Sequence, residues 1–141
     1  NDLINWKNNH RNNCLLVIGA RQVGKTYIIR DFAKNNYKKF YELNFLENKE
    51  FKEVFKEDLS ANNILKQLSI RISDFEIDDG NTLIFLDEIQ ECPEAITALK
   101  FLAQDKRFDC IASGSMLGIA YKRASSFPVG YVEDIYEFTR F

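Results

Sequence analysis

The sequence predicts an α/β domain in which a mostly parallel β-sheet is covered by helices on both faces. Five short apolar runs bounded by polar residues are typical of buried strands, and stretches with helical spacing alternate with them. The chain has 141 residues, of which 45% are hydrophobic and 28% charged, enough for one compact domain with its own core. No low-complexity linker divides it, so we assign residues 1–141 to a single domain.

The predicted strands are residues 14–18, 40–43, 82–86, 108–112 and 131–136. The predicted helical stretches are residues 26–35, 48–56, 64–72 and 93–104. Pro93 suits a first helical position, where a missing amide hydrogen leaves no helical bond unmade. Sheets of this kind bind ligands at the carboxyl ends of their strands, so the residues that follow each apolar run are the candidate functional residues.

A glycine-bearing loop follows the first predicted strand and leads into a helix. It matches the pattern G-x-x-x-x-G-K-[ST] with the residues Gly19, Ala20, Arg21, Gln22, Val23, Gly24, Lys25 and Thr26. The two glycines permit backbone angles that turn amide N–H groups inward, which makes a cradle for phosphate at a helix N-terminus. Lys25 is predicted to reach the β- and γ-phosphates of a nucleotide, and Thr26 to ligate Mg²⁺.

Two carboxylates follow the third predicted strand, whose residues 82–86 form a continuous apolar run. This is a Walker B arrangement, in which Asp87 is predicted to hold Mg²⁺ through a water and Glu88 to polarise the attacking water. Adjacent strand residues face opposite ways, which would let the two carboxylates take separate roles. Alone, the pair could equally be a solvated acidic turn; the phosphate loop favours the functional interpretation.

Hydroxyl side chains follow the fourth predicted strand, at Ser113 and Ser115. Either could hydrogen-bond the γ-phosphate or the attacking water, as a polar residue at this position does in P-loop ATPases with an additional strand. The alternative is a Ser-Gly-Ser turn that satisfies its own backbone. The residues leave both interpretations open.

Charge, cysteine use and hydropathy exclude several classes of protein. The formal net charge of −2 offers no basic surplus, so nucleic-acid binding is unsupported. The three widely spaced cysteines, Cys14, Cys92 and Cys110, are expected to be reduced core residues of a cytoplasmic protein. No apolar run approaches the roughly 20 residues of a membrane span. The chain begins at Asn1 without a methionine, and we expect it to be part of a longer protein.

Three segments together resemble the prokaryotic AAA-like ATPases that carry an uncharacterised C-terminal domain. They are residues 19–26, residues 86–93, which read Leu-Asp-Glu-Ile-Gln-Glu-Cys-Pro, and residues 112–115, which read Ala-Ser-Gly-Ser. The resemblance implies a three-layer P-loop NTPase fold with a five-stranded sheet of order 5-1-4-3-2, ATP as ligand, and the roles given above. Tyr131 stands where many relatives have arginine, and the C-terminal domain of those relatives lies outside this chain.

The leading hypothesis is an ATPase whose hydrolysis drives or times a conformational change in another domain, in a partner protein or in a second copy of the chain. The alternative is a nucleotide-dependent switch with negligible hydrolysis. A small-molecule kinase is disfavoured because only Arg71 lies between the second and third strands, where an arginine-rich lid would be expected. A GTPase is disfavoured because no Asn-Lys-x-Asp motif is present to recognise guanine.

Overall fold

The computed structural model describes residues 2–9, 13–19, 24–115 and 132–136, with residues 2 and 132–136 described by their backbone alone. The α-helices are α1 (Asp2–Asn9), α2 (Lys25–Asn36), α3 (Ala61–Arg71) and α4 (Pro93–Gln104). The strands are β1 (Cys14–Gly19), β2 (Lys39–Asn44), β3 (Thr82–Asp87), β4 (Asp109–Ser115) and β5 (Val132–Tyr136). Two 3₁₀ segments, Lys49–Phe55 and Ile89–Glu91, complete the described elements.

The strands form one sheet in the order β2-β3-β4-β1-β5, and every pairing in it is parallel. Strand β3 pairs with β2 and β4, while β1 pairs with β4 and β5. Parallel pairing brings the carboxyl ends of β1, β2, β3 and β4 to the same edge of the sheet. The predicted α/β class and parallel sheet are therefore confirmed.

The sheet is buried on both faces, which explains the continuous apolar runs. In β1, Leu15 and Val17 belong to a cluster with residues of α1 and α2, whereas Leu16 and Ile18 belong to a cluster with residues of α3 and α4. All six residues of β3 are buried in the same two-sided way. Each buried leucine, isoleucine or phenylalanine contributes about 1.5–3 kcal/mol relative to its exposed state, so the central strands are firmly placed.

Two elements differ from the sequence prediction. Helix α1 was not predicted, since its sequence is rich in asparagine, which has low helix propensity; it forms because the buried side chains of Leu3 and Trp6 pack against α2 and the sheet. The predicted helix at residues 48–56 is a 3₁₀ helix over Lys49–Phe55, with Val54 and Phe55 in the core. In both elements, tertiary packing and not local helix propensity determines the backbone conformation.

The three cysteines are buried with free thiols, as predicted. Burial raises the pKa of the Cys92 thiol to about 11, and the hydrogen bond between Cys14 and Cys110, together with burial, raises the pKa of the Cys14 thiol. The thiols of Cys14 and Cys92 are therefore protonated packing groups at neutral pH. Among the described residues, no α-helix combines the length and the apolar character that a membrane-spanning helix needs.

Candidate functional site

The predicted site residues converge at the carboxyl edge of the sheet. In the strand register Asn44 at the end of β2 pairs with Asp87 at the end of β3, and Gly19 at the end of β1 pairs with Ser115 at the end of β4. Helix α2 begins beside this edge at Lys25. Segments between residues 19 and 115 therefore meet in one place, where parallel α/β sheets form their ligand sites.

The start of α2 has the geometry expected of an anion-binding helix terminus. Gly24 precedes the helix with φ 84° and ψ 11°, a left-handed conformation that glycine adopts without strain. No described side chain caps this terminus, so the amides of the first turn are available to a ligand. Lys25 is only 4% exposed, an unusual burial for lysine. Ala20, Arg21, Gln22 and Val23 lie outside the described residues.

Asp87 is the centre of a hydrogen-bonded group that we call the Asp87 cluster, consisting of Asp87, Thr26, Asn44 and Ser113. Thr26 Oγ1 donates to Asp87 Oδ2 at 3.0 Å, Asn44 Nδ2 donates to the same oxygen at 3.3 Å, and Ser113 Oγ donates to Asp87 Oδ1 at 2.5 Å. Asp87 is 2% exposed and Ser113 is fully buried. Hydrogen bonds to a charged group contribute about 1.5–3 kcal/mol each, so this carboxylate is firmly oriented.

Strand alternation explains why these side chains meet. Leu83 and Phe85 pack in the cluster that contains α2 residues, and Asp87 continues that alternate series on the same face of the sheet. Ser113 continues the series of Ile111 in β4 in the same way. Both series therefore end beside the first turn of α2, where Thr26 lies.

Asn44 was not found by sequence reasoning. Its side-chain Oδ1 accepts hydrogen bonds from the amides of Leu46 and Glu47, both at 2.9 Å, and this fixes Nδ2 towards Asp87. The only signal in the sequence is a polar residue directly after the apolar run of the second strand. Its importance depends on strand order, because only the pairing of β2 with β3 sets it beside Asp87.

Glu88 and Gln90 form a second structure beside the cluster, which we call the Glu88–Gln90 turn. Glu88 follows the end of β3 and has φ 57° and ψ 49°, a left-handed conformation that costs a non-glycine residue about 1–2 kcal/mol. The expected strand alternation of Asp87 and Glu88 is therefore wrong, since Glu88 lies in a turn and is oriented by that turn.

Gln90 binds the Glu88 carboxylate directly. Its Nε2 donates to Glu88 Oε1 at 2.8 Å, and the two side chains are 7% and 8% exposed. The buried Oε1 of Gln90 accepts no hydrogen bond from any described residue. A buried acceptor without a partner costs about 1–3 kcal/mol. Sequence reasoning gave Gln90 no role.

The two candidate serines take different positions. Ser113 is committed to Asp87 Oδ1, whereas Ser115 is the partly exposed last residue of β4, in register with Gly19. A contact between either serine and phosphate stays a prediction.

The structure brings several of the predicted site residues to one edge of the sheet: Gly19, Gly24, Lys25, Thr26, Asp87 and Ser115. Tyr131 lies outside the described residues.

The oxygens of Thr26 and Asp87 suit a hard cation. Thr26 Oγ1 and Asp87 Oδ2 lie 3.0 Å apart, and hydroxyl and carboxylate oxygens are the ligands that Mg²⁺ takes from proteins. The described residues contain no group of three or more His, Cys, Asp or Glu side chains that could hold a metal alone. The Thr26 hydroxyl and the Asp87 carboxylate therefore fit as ligands of a Mg²⁺ ion whose other ligands would be water and phosphate oxygens.

Comparison with known proteins identifies the family. The family model described as "AAA domain" matches residues 11–139. The chain belongs to the AAA domain family. Membership shows an AAA-type P-loop domain of the nucleotide-binding class, in agreement with the resemblance found in the sequence. No curated protein is significantly similar to the chain in sequence.

Solved structures of RuvB from Thermotoga maritima share the fold. A threonine-to-valine variant aligns with a TM-score of 0.50 at 15% identity, covering 94% of this chain and 41% of that one. An alanine-to-serine mutant aligns with a TM-score of 0.51 at 15% identity, covering 94% of this chain and 42% of that one. This AAA domain thus spans about two fifths of the length of the RuvB chains it matches, and at this identity the likeness shows the fold alone.

Proposed function

We propose that this AAA domain binds ATP with Mg²⁺ and hydrolyses it, and that the cycle drives or times a conformational change in a further domain or a partner protein. One observation carries the proposal. The hydrogen bond from Thr26 to Asp87 joins the glycine-bearing loop to the acidic end of β3, two motifs separated by 61 residues in the sequence. A nucleotide site with a metal requires this junction, because the loop holds phosphate and the acidic residue holds the cation.

Each residue of the site has a role in this proposal. The amides of residues 19–24 and the N-terminus of α2 cradle the phosphates, and Lys25 places its charge against the β- and γ-phosphates. Thr26 and Asp87 hold Mg²⁺, and Asn44 and Ser113 keep Asp87 oriented. When bound, the metal offsets negative charge that develops on the phosphate oxygens.

Glu88 is the proposed general base. A carboxylate accepts a hydrogen bond from the attacking water and takes up its proton as the water bonds to the γ-phosphorus and the bond from that phosphorus to the β–γ bridging oxygen breaks, which releases ADP and phosphate. Its position directly after Asp87 sets it next to the metal-binding residues, and its 8% exposure keeps bulk water largely away. Ser115 remains a predicted contact of the γ-phosphate, at the end of the strand that neighbours β1.

Lys25→Ala tests nucleotide binding. A ligand that binds only the folded state stabilises it by about 2.7 kcal/mol at 100 times its dissociation constant, so MgATP should raise the melting temperature of the wild type. We expect Lys25→Ala to lose that rise, because the charge at the phosphates is gone. The matched control is Lys34→Ala, which removes an exposed lysine from the same helix and should keep it.

Calorimetric titration with MgATP and a phosphate-release assay complete the test. Binding by Lys25→Ala as tight as wild type would contradict the phosphate loop. Saturable binding without phosphate release in the wild type, alone and with its partner, would instead favour the nucleotide-dependent switch. Equal affinity for GTP in a competition titration would remove the preference for adenine.

A further inference from the structure

The Glu88–Gln90 turn combines two features that each lower the stability of the fold. Glu88 is one of two described non-glycine residues with positive φ, and the other, Asp74, is exposed in a loop. Gln90 is the residue whose buried side-chain oxygen has no partner among the described residues while its nitrogen is bonded. Backbone strain and an unsatisfied buried amide occur together at a site where a carboxylate must be oriented.

The chemistry of the pair decides which atom of the amide faces Glu88. An ionised carboxylate is an acceptor only, so the amide must present its NH₂ group to it, and Oε1 is left pointing elsewhere. Most buried side-chain polar atoms in proteins have at least one hydrogen-bond partner, so a buried amide oxygen without one is uncommon. In Gln90 the amide nitrogen donates to the Glu88 carboxylate, and the amide oxygen has no partner among the described residues.

The spacing of the two residues depends on the strained backbone. The 3₁₀ segment Ile89–Glu91 begins directly after Glu88, and its first closing bonds run from the Glu91 amide to the Glu88 carbonyl at 3.0 Å and from the Cys92 amide to the Ile89 carbonyl at 2.9 Å. This tight turn returns the side chain at position 90 to the side chain at position 88. Ile89 between them is fully buried in the core and anchors the turn.

We propose that Gln90 is a positioning residue for the Glu88 carboxylate. Its Nε2 holds Glu88 Oε1, which leaves Oε2 to accept the proton of the attacking water. Gln90 contacts neither nucleotide nor water in this scheme and acts only through Glu88. The proposal rests on the hydrolytic function proposed above.

Gln90→Met tests it, because methionine keeps the length of the side chain and removes the donor. We expect kcat for ATP hydrolysis to fall about 10-fold, since a misplaced catalytic group is a poor base, while KM for ATP stays within about twofold. Gln90→Glu is the second variant, in case methionine impairs folding. It keeps the size of the side chain and sets a second carboxylate against Glu88, so its kcat should fall at least as far. Gln104→Met makes the same change at an exposed position of α4 and should leave kcat unchanged.

A double-mutant cycle separates positioning from general structural damage. If Gln90 acts only through Glu88, adding Gln90→Met to Glu88→Gln should change the residual kcat by less than about twofold. The same 10-fold loss in both backgrounds would overturn the proposal, as would a loss expressed in KM. An unchanged or increased kcat in Gln90→Met would also overturn it. If the proposed hydrolytic function is itself wrong, the wild-type protein will show no ATP turnover. That outcome differs from a loss of kcat in Gln90→Met alone.

Discussion

Asp87 and Glu88 are neighbours in the sequence, yet they lie in two regions of opposite character. In the Asp87 cluster, three donors from three different elements converge on one carboxylate at the end of a regular strand. In the Glu88–Gln90 turn, one donor from two residues away holds a carboxylate on a left-handed backbone. In the first region both carboxylate oxygens accept hydrogen bonds, whereas the second has a residue with left-handed backbone and an amide oxygen without a partner among the described residues.

The difference follows from the roles proposed for the two residues. A metal ligand must hold its place before the metal arrives, and the fold provides that by strand register. A general base must direct one oxygen at a water molecule, and a short turn can aim a side chain in a direction that the strand does not allow. The two regions should therefore respond differently to substitution.

The largest expected effect belongs to Glu88. Glu88→Gln keeps the size of the side chain but removes the basic carboxylate, so kcat should fall by about 10²-fold or more while MgATP binding stays near wild type. Phosphate release under saturating MgATP, beside a binding titration, measures the two effects separately. Glu57→Gln, at an exposed position, is the control and should not affect either. Wild-type turnover by Glu88→Gln would refute the role of Glu88 as base.

Asp87→Asn should act on the metal and not on the chemistry of the water. The neutral amide is a weaker Mg²⁺ ligand, so we expect the gain in ATP affinity that Mg²⁺ provides to fall by about 10-fold or more. Affinity measured in EDTA should stay close to wild type. Asp31→Asn, on the exposed surface of α2, is the matched control. If Asp87→Asn keeps the full effect of Mg²⁺ on binding, Asp87 is not a ligand.

Ser113→Ala tests how far the cluster depends on each donor. Removing the fully buried hydroxyl deletes the 2.5 Å hydrogen bond to Asp87 Oδ1 while Thr26 and Asn44 still hold Oδ2. The free energy of unfolding should fall by about 1.5–3 kcal/mol, as measured by urea denaturation. Ser69→Ala, on the exposed side of α3, should be close to neutral. Equal effects of the two substitutions would show that the cluster is not stabilising.

The fold could be predicted from the sequence because its central strands are continuous apolar runs, such as residues 82–86, that have few other possible structures. That the glycine-bearing loop and Asp87 meet at one edge of the sheet could be predicted, because each motif follows a strand and the carboxyl ends of parallel strands share an edge. Helix α1 was missed because only packing of Leu3 and Trp6 makes it helical.

Asn44 and Gln90 were missed for a different reason. The role of Asn44 exists only in the folded sheet, where the register of β2 with β3 sets it beside a residue 43 positions away. The role proposed for Gln90 depends on the left-handed backbone at Glu88, a conformation that glutamate rarely adopts. Residues that support a motif are set by tertiary geometry, which periodicity and spacing do not contain.

The smallest expected effect concerns Asp74, whose backbone is also left-handed, with φ 60°. Asp74 is exposed in the loop between α3 and β3, away from the site, so its strain should have no consequence for hydrolysis. Asp74→Gly removes that strain, and we expect the free energy of unfolding to rise by about 0.5 kcal/mol with unchanged kcat.

Asp79→Gly is the matched control for this change, since Asp79 is exposed in the same loop and is not among the residues with positive φ. There glycine relieves nothing and increases the conformational freedom of the unfolded chain, so stability should fall. Urea denaturation of both variants measures whether the free energy of unfolding rises in Asp74→Gly and falls in Asp79→Gly. A loss of stability in Asp74→Gly as large as in Asp79→Gly would mean that left-handed backbone costs this chain nothing. The strain at Glu88 would then be no sign of function, and the case for Gln90 would depend on the double-mutant cycle alone.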